Sequence, residues 1–325
     1  MKQPKILIVG GAGYIGSVLV RQLLKKNYKV GIVDIFRFGG ESLLEIYNHP
    51  NLDIFKEDIR NTDKIDKIIS KYNIIVNLAA IVGDPACNRE PDLTRSINVD
   101  AAINLYKLSE KNKCKKFIFA STCSNYGKMK NSKLYVSETS DLVPLSLYAQ
   151  TKVEVEKYLL NQNRNNICHP TCLRFSTAYG IGPKIRFDLT VNEFTKDLAM
   201  GKELLVYGEQ FWRPYCHIVD IARAVIATIE APNKITSFAV FNVGSTKENY
   251  TKQMIVDEVR KNLPKIKVKY VLQVDDPRDY RVNFDKIKKQ LKFKTIKNVP
   301  NGIKEIIKLI KSGILSNPDD EKYKN

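Results

Sequence analysis

An apolar run at residues 5–9, Lys-Ile-Leu-Ile-Val, leads directly into a turn with three evenly spaced glycines. Gly10, Gly13 and Gly16 stand three residues apart, and apolar residues recur at helical spacing from 15 to 26. In such a strand–turn–helix unit the first glycine permits a tight turn, the second lets the backbone approach a diphosphate, and the third allows close helix packing. The helix N-terminus then offers free N–H groups to the phosphates. The sequence therefore predicts a dinucleotide-binding βαβ unit at the start of the chain.

The first half of the chain alternates short apolar runs with helical patterns. Strands are predicted at 5–9, 30–34, 52–55, 74–78, 116–120 and 171–175, and helices at 15–26, 63–72, 96–111 and 148–162. Strands that alternate with helices form parallel sheets with right-handed crossovers. We therefore expect an α/β fold with a doubly wound parallel (Rossmann) sheet and a smaller, mixed C-terminal substrate domain.

The second half is less regular, with glycine and proline punctuation at 180–183. Helices are predicted at 191–200, 218–231 and 303–310, and strands at 204–206 and 239–243. We assign residues 1–175 to the dinucleotide-binding domain, with 216–244 returning to it, and 176–325 mainly to the substrate domain. The polar tail from Asn317 onward is expected to be frayed.

Asp34 ends the predicted second strand, 18 residues beyond Gly16. A carboxylate there accepts hydrogen bonds from the adenosine ribose hydroxyls and repels the 2′-phosphate of NADP, so NAD is the expected cofactor. Arg37, in the same loop, is a residue that could hold a 2′-phosphate instead. Asp58 and Ile59 follow the third strand at a place suited to the adenine edge.

Tyr148 and Lys152 stand at i and i+4, so their side chains share one face of a predicted helix. That spacing alone is common and is compatible with a surface pair. It gains significance from Thr122, because the segment Ser-Thr-Cys-Ser at 121–124 lies just past the fifth strand. Open α/β sheets bind their ligands at this carboxyl edge.

Taken in order, these motifs resemble those of extended short-chain dehydrogenase/reductases of the nucleotide-sugar epimerase/dehydratase superfamily. The resemblance covers almost the whole chain and runs through residues 10–16, 77–80, 121–127, 148–152, 174–180 and 213–217. It implies that NAD is held by Gly10, Gly13, Tyr14, Ile15, Gly16, Asp34, Asp58, Ile59, Ala79, Tyr148 and Lys152. It also implies a homodimer or higher homo-oligomer.

The same resemblance implies catalytic roles for three residues. Tyr148 corresponds to the general base and acid, Lys152 to its helper and to a ligand of the nicotinamide ribose, and Thr122 to the hydroxyl that hydrogen-bonds the reacting oxygen. A free tyrosine titrates near pH 10, too high for a base at neutral pH. We expect a nearby ammonium and the positive nicotinamide ring to lower the pKa of Tyr148.

A nucleotide diphosphate sugar is the implied substrate. Arg213 corresponds to the arginine that binds the diphosphate in the family, although Pro214 replaces the usual acidic residue after it. Arg278 or Arg281 is the expected second clamp, because guanidinium groups bind phosphate in a bidentate manner. Thr177 stands where many relatives have an asparagine near the diphosphate, and Asn192 is a further expected contact.

The type of reaction is less constrained. Members that eliminate water across C5–C6 of the sugar carry Asp-Glu directly after the threonine, where this chain has Cys123 and Ser124, so a 4,6-dehydratase is not expected. Oxidation at C4 remains, as a 4-epimerase, or as a 4-dehydrogenase or 4-ketoreductase with net redox. Residues 79–87, 186–189 and 279–281 resemble a subgroup that includes a GDP-heptose 4-dehydrogenase, which keeps this alternative beside epimerisation.

Charge and composition limit other classes of function. The formal charge of +18 comes largely from lysines spread along the chain without a basic block, so no nucleic-acid partner is expected, although the charge should attract an anionic substrate. A non-catalytic dinucleotide- or RNA-binding module could lose the Thr-Tyr-Lys set, which is intact here. The arginines of the C-terminal half argue against a dehydrogenase for a small free alcohol.

Location and metal content follow from simple counts. No apolar run approaches the roughly 18 residues of a membrane span, and no signal peptide is recognised, so no membrane partner is expected. The six cysteines and three histidines lack metal-ligand spacing, and buried thiols are the interpretation of Cys168 and Cys172. We therefore expect no metal and a cytoplasmic location.

Overall fold

The structure is a computed structural model that describes residues 3–129, 131, 134–271 and 278–324. Its strands are β1 (Ile6–Val9), β2 (Val30–Asp34), β3 (Leu52–Lys56), β4 (Ile74–Asn77), β5 (Lys116–Thr122), β6 (His169–Phe175), β7 (Thr177–Tyr179), β8 (Glu203–Tyr207), β9 (Trp212–His217), β10 (Ala239–Val243), β11 (Asn249–Thr251) and β12 (Lys267–Val271).

Its α-helices are α1 (Tyr14–Lys25), α2 (Thr62–Ile69), α3 (Asp84–Arg89), α4 (Pro91–Arg95), α5 (Ala102–Lys111), α6 (Leu147–Leu160), α7 (Thr190–Ala199), α8 (Ile218–Glu230), α9 (Asn233–Thr236), α10 (Lys252–Arg260), α11 (Asp285–Gln290) and α12 (Val299–Lys311). A π-helical turn at Ser96–Ala101 joins α4 to α5.

Seven parallel strands form the central sheet, in the order β10-β6-β5-β4-β1-β2-β3. The chain moves outward from β1 through β2 to β3, then returns to β4 on the other side of β1 and continues to β5 and β6. The crossovers on the two sides of this reversal diverge, which opens a crevice at the carboxyl ends of β1 and β4. The predicted doubly wound parallel sheet is confirmed.

Strand β1 shows why the sheet needs two covering layers. Ile6 and Ile8 belong to the apolar cluster on one face, whereas Leu7 and Val9 belong to the cluster on the other, and none of the four is exposed. Burying each such side chain contributes about 1.5–3 kcal/mol, which favours a strand covered on both faces.

The second half of the chain builds a smaller unit around its own apolar cluster. This cluster joins α7, α10 and α12 through buried side chains such as Val191, Val256 and Ile303. Two small sheets accompany the helices, β11-β9-β7 and β12-β8, and the first combines antiparallel with parallel pairing. The expected smaller, mixed part is confirmed in architecture.

The predicted strand at 239–243 returns to the central sheet, where β10 pairs in parallel with β6.

The expectation of a frayed tail from Asn317 is wrong. The Asp319 carboxylate bonds Lys196 on α7 at 2.6 Å, and the Phe187 N–H donates to the Tyr323 carbonyl at 2.7 Å. The rings of Phe187 and Tyr323 pack edge to face with centroids 5.6 Å apart. Charge pairing and aromatic contact therefore hold a segment whose polar composition suggested a free end.

Candidate active site

A cavity of about 900 Å³ lies along the carboxyl edge of the central sheet. It begins at the glycine turn after β1, passes the ends of β2, β4 and β5, and reaches residues of the smaller unit. Its volume is at the upper end of the range for small-molecule sites, enough for two sizeable ligands in contact. The cavity therefore coincides with the crevice that the strand order creates.

The glycine turn fits the close approach that a diphosphate requires. Gly10 has a φ of +86°, and a Cβ added there would lie 2.8 Å from the Ala79 nitrogen. A Cβ on Gly16 would lie 2.2 Å from the Gly10 carbonyl oxygen, so α1 can start close to β1 only with glycine at this position. Together with Gly13, these residues line the cavity where α1 presents its N-terminus.

Asp34 stands at the end of β2 on the cavity wall and organises the neighbouring loops. Its Oδ2 accepts a hydrogen bond from the Ala12 N–H at 3.0 Å and its Oδ1 from the Phe36 N–H at 2.9 Å. Burial nevertheless raises the pKa of this carboxyl above its ordinary value. Arg37, the residue that could hold a 2′-phosphate, pairs instead with Glu90 at 2.7 Å.

The other residues expected to contact NAD also line this cavity. Tyr14 directs its hydroxyl away from the glycine turn and donates to the Gly180 carbonyl at 2.6 Å, which ties α1 to the smaller unit. Asp58 forms a bidentate pair with Arg60, which lowers the pKa of the carboxyl. Ile59 and Ala79 contribute apolar surface to the wall of the cavity. The residues present thus fit a dinucleotide extended along the strand ends.

Thr122, Tyr148 and Lys152 come together beyond the end of β5. All three line the cavity. Helix α6 begins one residue before Tyr148, because the Ser146 hydroxyl caps its N-terminus by accepting from the Ala149 N–H. The Lys152 ammonium lies 5.8 Å from the centroid of the Tyr148 ring and 4.8 Å from that of Phe119. The structure thus brings the three candidate catalytic residues to one place.

The electrostatics of this group differ from the sequence expectation. Burial lowers the pKa of Lys152 to about 8. Burial also raises the pKa of Tyr148 well above its ordinary value, with further upward contributions from Cys87 and Asp84, whereas Arg186 lowers it. Lys152 therefore loses its proton at a lower pH than Tyr148 does. The expected lowering of the Tyr148 pKa is therefore not found in the protein alone, because desolvation dominates.

Arg213, Arg278 and Thr177 line the far part of the cavity. Arg213 is held by a hydrogen bond to the Trp212 carbonyl at 2.7 Å, and its guanidinium lies 5.4 Å from the centroid of the Tyr280 ring. Arg278 forms an ion pair of 3.0 Å with Asp84, the first residue of α3. These two guanidinium groups and the Thr177 hydroxyl are placed to meet an anionic ligand in the cavity.

Two of the expected substrate residues do not lie on the cavity wall. Asn192 is fully buried, and its amide bonds the Gly180 nitrogen at 2.9 Å, the Tyr14 hydroxyl at 3.0 Å and the Arg186 carbonyl at 2.8 Å. Arg281 is stacked between the rings of Tyr135 and Trp212, at 4.2 and 4.5 Å from their centroids. Asn192 therefore braces the loop before α7, and Arg278, not Arg281, reaches the cavity.

Two residues for which the sequence predicted no site role also line the cavity. Arg186 and Asp188 precede α7 and form a bidentate pair at 3.0 and 2.6 Å, with the arginine largely buried. Both line the cavity. The signal was present, since residues 186–189 carry part of the subgroup resemblance, but a loop position gives no indication of which side chains face inward.

The docked C-terminal segment completes the rim of the cavity. Glu321 and Lys324 line it, and the Lys184 ammonium donates to the Lys322 carbonyl while lying 5.1 Å from the centroid of the Phe38 ring. The tail is thereby linked through Lys184 to the loop after β2.

Several residues have roles away from the cavity. The His217 side chain caps α8 by accepting from the Val219 N–H at 3.2 Å, so it has a structural role. All six cysteines are buried and free, and the reading of Cys168 and Cys172 as buried thiols is confirmed. Among residues 3–129, 131, 134–271 and 278–324, no cluster of metal-ligand side chains is found, and no helix has the length and apolarity to cross a membrane.

Comparison with known proteins finds relatives that are similar over almost the whole chain. The chain is 27% identical to protein CapI of Staphylococcus aureus over 93% of this chain and 97% of that protein. The structure of UDP-glucose 4-epimerase from Thermotoga maritima with UDP-glucose matches 96% of this chain and 100% of its own, at 26% identity and a TM-score of 0.83. UDP-glucuronic acid 4-epimerase from Bacillus cereus, in complex with UDP-glucuronic acid and NAD, matches 95% and 99%, at 26% identity and a TM-score of 0.84.

The family profile agrees with these similarities. It is the profile of the NAD dependent epimerase/dehydratase family, and it matches residues 6–244, from the first residue of β1 to just beyond β10. This range includes the glycine turn, Thr122, Tyr148, Lys152 and Arg213. The chain belongs to the NAD-dependent epimerase/dehydratase family.

Proposed function

We propose that this protein is an NAD-dependent nucleotide-sugar 4-epimerase. The observation that carries the proposal is the convergence of Thr122, Tyr148 and Lys152 in a cavity that also contains the glycine turn and Arg213. A cofactor at the glycine turn and an anionic nucleotide at the arginine would meet at the three catalytic candidates. The similarity to UDP-sugar 4-epimerases supports the same reaction.

In this proposal each residue has a defined task. Tyr148 accepts the proton of the sugar C4 hydroxyl and later returns it, Thr122 hydrogen-bonds the C4 oxygen, and Lys152 supplies the positive charge beside the phenol. NAD would be held by the glycine turn and Asp34, and when bound it would supply a reversible hydride acceptor for C4. Arg213 and Arg278 hold the nucleotide diphosphate.

The neighbours of Thr122 support this reaction over elimination of water. Cys123 is buried, its thiol donates to the Arg174 carbonyl at 3.3 Å, and burial raises its pKa. Ser124 accepts from the Tyr280 hydroxyl at 3.4 Å. Neither side chain offers the acid or base that dehydration across C5–C6 requires.

Further parts of the proposal concern the whole protein. We assign 1–175 and 216–244 to binding of NAD and the remainder of 176–325 mainly to the nucleotide sugar. A homodimer or higher homo-oligomer and a cytoplasmic location belong to the same proposal. Light scattering on the purified protein tests the oligomeric state, and a monomer would contradict this part of the proposal. Fractionation of the producing cells tests the second, and recovery outside the cytoplasm would contradict it.

The test of the reaction is to incubate purified protein with NAD and a panel of UDP-, GDP-, CDP- and dTDP-sugars. Mass spectrometry and NMR then identify the product. An unchanged mass with inverted C4 configuration is expected. A product lighter by two hydrogens, with an equal amount of reduced cofactor, would instead establish a 4-dehydrogenase.

Two variants test the residue roles. Tyr148→Phe should abolish turnover while NAD binding survives, because only the proton acceptor is removed. Arg213→Ala should weaken binding of the nucleotide sugar without weakening binding of NAD. Substantial turnover by the first variant, or unchanged substrate affinity of the second, would refute the corresponding role.

A further inference from the structure

Helix α6 carries a third side chain in line with Tyr148 and Lys152. Glu156 follows Lys152 at the same spacing of four residues, so the three share one face of the helix. Glu156 is only 1% exposed and, unlike the other two, does not line the cavity. A carboxylate is costly to bury unless it is paired and hydrogen-bonded, so its partners indicate what it does.

Those partners lie on the two strands beneath α6. The Glu156 Oε2 accepts a hydrogen bond from the Ser121 hydroxyl on β5 at 2.8 Å. Its two oxygens also accept from the Arg174 Nε on β6 at 3.1 and 3.2 Å. Ser121 and Arg174 are direct partners across the β5–β6 pairing. One carboxylate on α6 is therefore bonded to a single pair of facing residues, Ser121 and Arg174, which we call the rung of the sheet.

The rung itself is immobilised from its other side. Arg174 donates to the Tyr126 hydroxyl at 2.8 Å, and that hydroxyl donates to Asn242 on β10 at 2.7 Å. The Ser121 hydroxyl also accepts from Asn125 at 3.1 Å. Linked hydrogen bonds of this kind strengthen one another in a low-dielectric interior. Glu156 is thus bonded to a rigid base rather than to mobile side chains.

The same rung sits next to the reacting centre. Ser121 directly precedes Thr122, while Tyr148 lies two helical turns before Glu156 on α6. Any rotation or sliding of α6 over β5 changes the separation of the Tyr148 and Thr122 hydroxyls, which must both reach one sugar oxygen in the proposed reaction. Catalytic groups need placement within about 0.5 Å, so a fixed point between these two elements has functional weight.

We infer that Glu156, through its bond to Ser121, is a positioning residue that sets Tyr148 relative to Thr122. This inference rests on the proposed function for its kinetic consequence, but not for its geometric one. It assigns Glu156 no contact with substrate or cofactor. Its effect should therefore appear in turnover and in the surroundings of Tyr148, and not in the affinity for either ligand.

The test uses Ser121→Ala, which breaks the link at a residue that also lines the cavity, and Glu156→Gln, which leaves the cavity wall unchanged and weakens the link by removing the charge of the acceptor. Ser109→Ala is the matched control, because Ser109 is equally buried and its hydroxyl donates to the Leu105 carbonyl of its own helix, at 2.7 Å. All three proteins are compared with the wild type in kcat, KM, NAD affinity and Tm.

We expect Ser121→Ala to lower kcat ten- to about a hundredfold, with KM and NAD affinity within about twofold of the wild type, since small misplacements cost up to about a hundredfold. Ser109→Ala should lose a similar Tm with kcat unchanged. A kcat in Ser121→Ala equal to that of the control would overturn the inference and leave the proposed function standing.

A second readout does not depend on turnover. In protein labelled with ¹³C in its tyrosine rings, the Tyr148 signal is identified by its loss in Tyr148→Phe. That signal should shift in Ser121→Ala and Glu156→Gln but not in Ser109→Ala. An unmoved Tyr148 signal in a folded Ser121→Ala protein overturns the inference, whether or not the wild type turns over a sugar nucleotide. Absence of turnover in the wild type would refute the proposed function separately. If Glu156→Gln does not fold, Ser121→Ala alone decides.

Discussion

Replacing Lys152 by methionine removes one charge beside Tyr148 while preserving most of the side-chain volume. The Lys152 ammonium lies 5.8 Å from the Tyr148 ring centroid. At an effective dielectric constant of about 20, a unit charge at that distance stabilises the phenolate by about 3 kcal/mol, which corresponds to about two pKa units. Lys152→Met should therefore lower kcat about a hundredfold near neutral pH.

The pH profile provides a sharper signature than the rate. Burial lowers the pKa of Lys152 to about 8, so its ammonium is present near neutral pH and is lost as the pH rises above about 8. Its stabilisation of the phenolate should therefore fade above that pH. The ratio of wild-type to Lys152→Met turnover should be largest near pH 7 and should shrink between pH 8 and 10.

The assay is steady-state conversion of the nucleotide sugar between pH 6 and 10, at saturating NAD to compensate for weaker cofactor binding. Lys157→Met, an exposed change on the same helix, is the control and should retain the wild-type profile. A Lys152→Met enzyme that kept a third or more of wild-type turnover near pH 7, or a wild-type advantage that did not shrink above pH 8, would refute the electrostatic role.

Three other perturbations follow from the structure. Lys116 is buried with its ammonium on carbonyls at the C-terminus of α8, and burial lowers its pKa to about 8. Because the unfolded chain binds this proton more tightly, the free energy of unfolding of the wild type should rise by up to about 2 kcal/mol relative to Lys116→Met between pH 8 and 10, as measured by urea denaturation. Asp319→Asn should release the C-terminal segment, seen as faster amide exchange there, whereas the wild type should hold it down to acidic pH, since two lysines lower the pKa of Asp319 to about 2. Glu90→Gln frees Arg37 and should improve binding of NADP relative to NAD by at most about fivefold, because exposed pairs are weak; an unchanged ratio in titrations of the two cofactors would argue against that role.

Local sequence rules were sufficient for the regular part of the molecule. The apolar run before Gly10, the glycine spacing and Asp34 predict β1, the turn and the end of β2, because each depends on residues close together in the chain. The positions of Tyr148 and Thr122 could also be anticipated, since strand ends in a parallel sheet meet at one edge.

What sequence could not give depends on contacts between distant segments. The strands β7, β9 and β11 form a small sheet of their own. They are too short for a periodic pattern of apolar residues to mark them in the sequence. The placement of Asn192 and Arg281 is decided by partners more than 100 residues away in the chain, such as Tyr14 and Tyr135. The pKa of Tyr148 depends on burial, which no spacing reveals.

The contacts of Asp319 and Tyr323 have a practical consequence for anyone who engineers this protein. Because Lys324 lies at the cavity rim, a group attached at this residue would lie beside the opening through which ligands enter. An affinity tag there would compete with ligand access or pull the segment from α7, and measured affinities would carry that artefact. Gln3, before β1, is exposed, so a tag fused ahead of it is the better choice. Because Lys324 lies at the cavity rim, a fluorophore attached near it would be a sensitive reporter of ligand binding.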